Sequence, residues 1–268
     1  MDTPLHPRII KEKKALLSII VDDFGSFDGV LLDAFCRLDP AVTFAVLPEL
    51  PFSQIAMERA IASGREVIVH IPMQAQNTGI NPGQNAILSI NTPREIYDKV
   101  RGYFRVLTKA VGANNHMGSL ITQDKDLMQA SLRYLAENNL FFVDSRTVPN
   151  TVVREVALEL GISFAERDLF LDAPDNTDEV LWERIRNLAR LLRTKGRALV
   201  ITHCDDKDRL DRLKIFIDEA KRMGFELVPT SEFVQSLNSN LICTTFASEL
   251  KDDGFDFVSF STTTIFWT

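Results

Sequence analysis

Cysteine is scarce in this 268-residue sequence: Cys36, Cys204 and Cys243 stand far apart without a CxxC pair, which excludes a disulfide framework and a cysteine-based zinc ribbon. Its chemistry has to come from other residues. Long apolar runs are missing too. The longest near the start, Ala15 to Val21, is too short for a membrane span and enters Asp22-Asp23 without a small-residue cleavage site, so no export signal is visible in this chain. Positive charge is in deficit, with 30 Lys and Arg against 37 Asp and Glu for a net charge of -7, and no run of five Lys/Arg occurs. Nucleic acid is therefore not an expected partner. No internal repeat is found, and no low-complexity segment precedes residue 238.

What is present is an ordinary globular composition, 45% hydrophobic and 25% charged with 12 Gly and 11 Pro. The length allows two domains at roughly 150 residues each, although α/β barrels of about 250 residues form one. Short apolar runs alternate with longer amphipathic ones, the pattern of parallel strands joined by helical crossovers. Strands are expected at Leu16 to Val21, Val42 to Leu47, Glu66 to His70, Val111 to Asn115, Leu140 to Val143 and Ala198 to Thr202, with weaker ones at Ile162 to Ala165 and Phe225 to Val228. Eight such strands suit a barrel. Helices are expected at Pro51 to Ser63, Thr92 to Lys109, Lys125 to Asn138, Asp178 to Thr194 and Lys207 to Met223. Thr92-Pro93 with Glu95, and Ser53 ahead of Ile55, read as helix starts, and Gly64, Gly161, Gly196 and Gly224 as helix stops. The polar stretch Asn77 to Asn91 is long enough to form one wall of a cleft. Residues 1–14 read as an N-terminal extension and 15–238 as the barrel. The remainder, 239–268, carries Phe246, Phe255, Phe257, Phe260 and Phe266 without helical period, and the barrel is expected to close before it, with a strand and helix over Val228 to Leu237.

Four histidines occur, and three of them share a position type. His70 ends one expected strand, His116 follows another and His203 a third; Asp22-Asp23 and Asp144 end two more. In a parallel barrel every C-terminal strand end opens on one face, where active sites are assembled from several strands. Each residue alone has a plain structural reading, a hydrogen-bonded histidine or a helix-capping aspartate. Together they form a convergent titratable cluster of the kind that marks a functional site. Two imidazoles and a carboxylate suit a divalent, zinc-like ion with an open position. Neighbouring strand residues point to opposite faces, so Asp22 and Asp23 share the site only if the chain bends, and Phe24-Gly25 offers the bend. One Asp then binds metal while the other takes a proton, and an imidazole acid completes hydrolysis of an acyl bond.

The strings Ile19-Ile-Val-Asp-Asp-Phe-Gly25, His70-Ile-Pro-Met73, Asn114-Asn-His-Met-Gly-Ser119 and Val143-Asp-Ser-Arg-Thr147, in this order, resemble the divergent polysaccharide deacetylase family over about Ala15 to Phe233. The resemblance implies a distorted (β/α) barrel of seven or eight mostly parallel strands, shared with NodB-like deacetylases. It further implies a metal-dependent hydrolase that removes acyl groups, most simply N-acetyl, from a carbohydrate or polysaccharide. By resemblance Asp22 is the catalytic base, Asp23 and His70 are metal ligands, and His203 in Ile201-Thr-His-Cys204 is the general acid. NodB-like members carry a second His four residues after the first, where this chain has Gln74. The third ligand is therefore assigned to His116 and Gln74 to substrate contact. Asn115, Ser119, Asp144 and Arg146 are further substrate-binding candidates; Asn114, Asn115 and Ser119 can donate to sugar hydroxyls or brace His116, and turn chemistry is a strong alternative reading for Asn114. Arg146 can orient a sugar, hold the base or form a structural ion pair. The family resemblance points to the periplasm or envelope. Gln74 and the Cys204-Asp205-Asp206 that follows His203 keep a second reading open, a barrel without turnover that binds carbohydrate or envelope material. A phosphoesterase is disfavoured, because no glycine-rich phosphate cradle or Lys/Arg cluster accompanies the donors.

Overall fold

Ala15–Phe24 forms the longest strand, β1, and its burial is nearly unbroken because helices cover one side and the barrel interior the other. Residues 14–237 are described by the computed structural model; the tail 239–268 and all but the last residue of the N-terminal extension lie outside the described residues. After β1 come α1 (Val30–Phe35), β2 (Thr43–Val46), α2 (Ser53–Ala62), β3 (Val67–Met73), α3 (Pro93–Val106) and β4 (Gly112–Met117). A 3-10 turn at Ile121–Gln123 leads into α4 (Lys125–Glu137), β5 (Phe141–Asp144), α5 (Val153–Leu160), β6 (Phe164–Glu166) and β7 (Leu169–Phe170). Then follow α6 (Asp178–Lys195), β8 (Arg197–His203), α7 (Lys207–Arg222), β9 (Phe225–Leu227) and a closing helix at 230–237. No helix among the described residues is long and apolar enough to cross a membrane.

Every strand pair is parallel, in the order β6-β5-β4-β3-β2-β1-β8-β7. Since β8 holds one edge of β1 over Leu16 to Asp22, the other edge is divided between β9 at Ala15 to Leu17 and β2 from Ile20 onward. The sheet curls but its ends do not pair. Between β6 and β7 the chain itself crosses the gap: the amide of Arg167 donates to Asp144 O on one side, and that of Asp168 to Leu199 O on the other. The result is the distorted barrel the sequence implies.

Period-2 alternation sorts the strand residues. Leu17, Ile19 and Val21 of β1, Val69 and Ile71 of β3 and Ala198 and Val200 of β8 pack with the helices in the larger apolar cluster. Ile20, Ile68, Leu199 and Ile201 face the interior, where Phe233 and Val234 of the closing helix plug the bottom. Thr230, at the start of that helix, hydrogen-bonds Ser18 Oγ and Thr43 Oγ1 at 2.9 and 2.8 Å, all three fully buried. Two residues further along each strand, Asp22, His70 and His203 keep the inward parity of Ile20, Ile68 and Ile201.

Several local expectations meet their physical reasons. Thr92 and Glu95 form a reciprocal capping box at α3. Gly161 and Gly196 end α5 and α6 in the left-handed conformation. Ser53 is a correction: it is not the cap of α2, because its hydroxyl is committed to the preceding turn, accepting from Leu50 N and donating to Leu47 O. β7 was not expected, since two residues carry no periodicity. If the closing helix plugs the barrel, Phe233→Ala should lower unfolding stability by about 3–5 kcal/mol, read from urea denaturation; a loss under about 1 kcal/mol would show a peripheral helix.

Candidate functional site

The end of β1 builds the site by breaking its own alternation. Val21 pairs with Phe44 but Phe24 with Val46, so one extra residue is inserted opposite β2, and Asp23 takes the left-handed conformation at φ 72. The bend expected at Phe24-Gly25 is present, with Gly25 at φ 123, but the inversion that redirects the carboxylate comes earlier, on Asp23, while Phe24 stays in the ladder. The reason is packing: Phe24 is fully buried, stacked on Phe44 at 3.9 Å between ring centroids. Asp22 faces inward by parity and Asp23 by the bulge.

Asp23 Oδ1 lies 3.1 Å from His70 Nε2 and 3.0 Å from His116 Nδ1, and those two nitrogens are 3.2 Å apart. Asp23 Oδ1 is buried yet has no hydrogen bond of good geometry. These three side chains come from β1, β3 and β4, and their donor atoms suit a metal ion. Burial works against the charge of Asp23, but the two imidazoles outweigh it and hold the carboxyl well below the usual carboxylate range. His116 reaches the group because Met117 and Gly118 both turn left-handed behind it, at φ 55 and 85. A Cβ on Gly118 would press on Met73 Cβ at 3.1 Å, so the turn has little room for another residue.

Asp22 is 2% exposed, and burial raises its carboxyl above the ordinary value although His70 and His203 oppose this. His70, equally buried, is nonetheless raised, because Asp22 and Asp23 outweigh its desolvation. Across the β1–β8 pairing Asp22 stands beside His203. His203 Nδ1 lies 3.0 Å from Asp172 Oδ2, whose carboxylate also accepts from His203 N and Arg209 Nε. Burial disfavours the imidazolium, yet Asp172 outweighs it and pushes the His203 pKa up to about 9.

Asn114, fully buried, joins the two halves: its Oδ1 is 2.7 Å from His70 Nδ1 and its Nδ2 donates to Asp22 Oδ1 at 2.8 Å. The remaining candidates surround this group. Gln74 Oε1 accepts from Ser89 N, and Ser119 Oγ accepts from Gln76 N, so both brace the 77–91 loop. Asn115 is buried, linking Met117 O to Ser145 N between the β4 and β5 ends. Asp144 is buried, accepting from Arg146 N and Thr151 Oγ1. Arg146 points to Glu166, 3.7 Å away, and to Pro149 O.

Sequence reasoning gave Asp172 no role. Its signal was available only as an Asp at the end of Arg167-Asp-Leu-Phe-Leu-Asp172, because β7 is too short to read as a strand. The same string yields a stack: Arg167 lies 3.7 Å over the Phe170 ring, which is stacked on His203 at 5.8 Å.

A curled parallel barrel that gathers Asp22, Asp23, His70, His116 and His203 at its C-terminal strand ends has the place where barrel active sites are assembled. The chain matches the divergent polysaccharide deacetylases over residues 19–234 and belongs to that family. An uncharacterized protein of Haemophilus influenzae is 30% identical over 195 residues, 70% of this chain and 66% of its own length, so the chain spans just under two thirds of that relative. The crystal structure of uncharacterized protein ATU2773 from Agrobacterium tumefaciens C58 superposes at TM-score 0.76 and 20% identity, covering 83% of this chain and 90% of that one. The T48 deacetylase, solved with substrate, superposes at TM-score 0.52 and 12% identity over 83% and 92%. At these identities the structural likenesses show the fold.

The Asp172–His203 pair yields a titration test. In chelator-treated protein the His203 imidazole should titrate near 9 by NMR, and Asp172→Asn should return it toward about 6.5. Because the folded value is raised, the stabilisation is complete below about 6.5 and lost as pH rises through about 9. An unshifted His203 in the parent would refute the pairing.

Proposed function

We propose that this barrel is a metal-dependent hydrolase that removes acyl groups, most simply N-acetyl, from a carbohydrate. The observation that carries the proposal is the convergence of Asp23 Oδ1, His70 Nε2 and His116 Nδ1 from three strands, with the carboxylate oxygen buried and lacking a hydrogen bond. Asp23, His70 and His116 hold one divalent ion, zinc by the softness and number of the donors. An ion held there would supply Lewis-acid polarisation of an acyl carbonyl and a lowered pKa for water.

The protein's own groups supply the proton transfers. Asp22 accepts a proton from the water that attacks the acyl carbon. His203, held protonated by Asp172, donates one to the nitrogen as the C–N bond breaks, releasing a carboxylic acid and a free amine. Family membership supports a carbohydrate as substrate, and the partial exposure of Asp23, His116 and His203 supports access from the C-terminal face. Gln74, Ser119 and Arg146, partly exposed beside the site, are candidate substrate contacts, whereas Asn115 and Asp144, both buried, act through the backbone they hold. The sequence departures that favoured binding without turnover have local counterparts: His116 stands in for the histidine missing at Gln74, and Asp172 supports His203 despite the altered residues after it.

Zinc titration by calorimetry and turnover of N-acetylated oligosaccharides test the assignment together. His116→Ala should weaken zinc binding by at least about 10-fold while Gln74→Ala leaves it near parental; the reverse pattern would overturn the ligand set. Asp22→Asn should keep its zinc and lose about 10²–10⁴-fold in rate. A parent that binds zinc but turns over none of the oligosaccharides would favour the carbohydrate-binding reading.

A further inference from the structure

We propose that Asn114 is a positioning residue that locks the base and a metal-holding histidine into one unit, its single amide accepting from His70 and donating to Asp22. The inference rests on the assignment of Asp22 and His70 above.

Asn114 sits directly across from His70 in the β3–β4 register, and the shared inward parity sets the two side chains face to face. The amide plane is defined on both sides, at 2.7 Å to His70 Nδ1 and 2.8 Å to Asp22 Oδ1, with Ser145 Oγ at 3.4 Å as a weaker third neighbour of Nδ2. Only one orientation satisfies both close contacts. The carboxylate of Asp22 takes N–H groups, so Nδ2 must face it and Oδ1 must face His70. Nδ1 of His70 then carries a proton, which leaves Nε2, beside Asp23 Oδ1 and His116 Nδ1, as the nitrogen that would offer its lone pair to an ion. One neutral group therefore fixes the tautomer that a metal ion requires and the rotamer of the neighbouring base.

Neutrality is the part of this arrangement that a general structural asparagine would not need. A carboxylate at position 114 would orient His70 as well as the amide does, as carboxylates commonly do behind metal-bound histidines. It would also face Asp22 as a second buried negative charge, with no donor left for Oδ1. Removing the side chain instead leaves Nδ1–H and Oδ1 unpaired in a fully buried place. The carboxylate thus breaks only the Asp22 half of the bridge, and removal of the side chain breaks both halves.

Three full-length variants test this, read by thermal melting, Zn²⁺ calorimetry and turnover of the N-acetylated oligosaccharides. Asn114→Ala should weaken Zn²⁺ binding by about 10–100-fold, the usual cost of losing a partner behind a metal-bound histidine. Asn114→Asp should lower Tm and activity while holding Zn²⁺ affinity within about 3-fold of the parent, because the brace on His70 survives. Asp22→Asn combined with Asn114→Asp restores donor facing acceptor; it should recover the Tm lost by Asn114→Asp alone and keep Zn²⁺, yet stay inactive for want of a base. The proposal is overturned if Asn114→Ala binds Zn²⁺ like the parent, or if the double variant melts no higher than Asn114→Asp. A parent that binds no Zn²⁺ would count against the metal-site reading instead, and the Tm recovery would still decide whether the amide bridges the two residues.

Discussion

The left-handed backbone at Asp23 is the constraint on which the site depends. A regular strand would send Asp22 and Asp23 to opposite faces, one toward the interior and one toward the helices. The inserted residue opposite β2 turns both carboxylates the same way, and the buried Phe24 stack locks the strand again just beyond. Such a conformation costs of order 1–3 kcal/mol in a non-glycine residue and persists only where the surroundings over-determine it. Here they do, through the ladder on the β8 side, which runs unbroken through Asp22, and through the two imidazoles that meet the Asp23 carboxylate.

Once the carboxylates share a side, burial dictates the rest. Asp22 and His70 are each 2% exposed and Asp172 6%, depths at which an unpaired charge is prohibitive. The charges are accordingly interleaved. Asp23 lies between two histidines, Asp22 near His70 and His203, and Asp172 between His203 and Arg209. The same interleaving separates two adjacent aspartates: the one meeting both imidazoles is held ionised, and burial raises the carboxyl of the one deeper in the interior above its ordinary value.

The barrel contributes rigidity below and openness above. Apolar residues, the Ser18–Thr230–Thr43 hydrogen bonds and the closing helix fill the bottom, and the titratable groups of inward parity lie at the top. The unpaired seam is turned to use as well, because the chain that crosses it continues into Phe170, stacked between Arg167 and His203, and Asp172, which holds the imidazole.

Strand alternation and strand-end position are local properties, and that is why the sequence alone determined the parallel α/β barrel and the gathering of Asp22, Asp23, His70, His116 and His203 on one face. The polar character of Asn77 to Asn91 likewise marked a loop, though not that Gln74 and Ser119 would brace it. The Asp23 bulge, the two-residue β7, the capping failure of Ser53 and the partners of Asn114 and Asp172 were decided only by the tertiary structure. Three of these depend on a group from a distant part of the chain, Phe44 for the bulge, Asp22 and His70 for Asn114 and His203 for Asp172, while Ser53 is taken up by the turn just before it. A side chain's periodicity says which face it takes, but the hydrogen bonds and charges it meets there are fixed by strands more than 20 residues away along the chain, and no local pattern encodes their register.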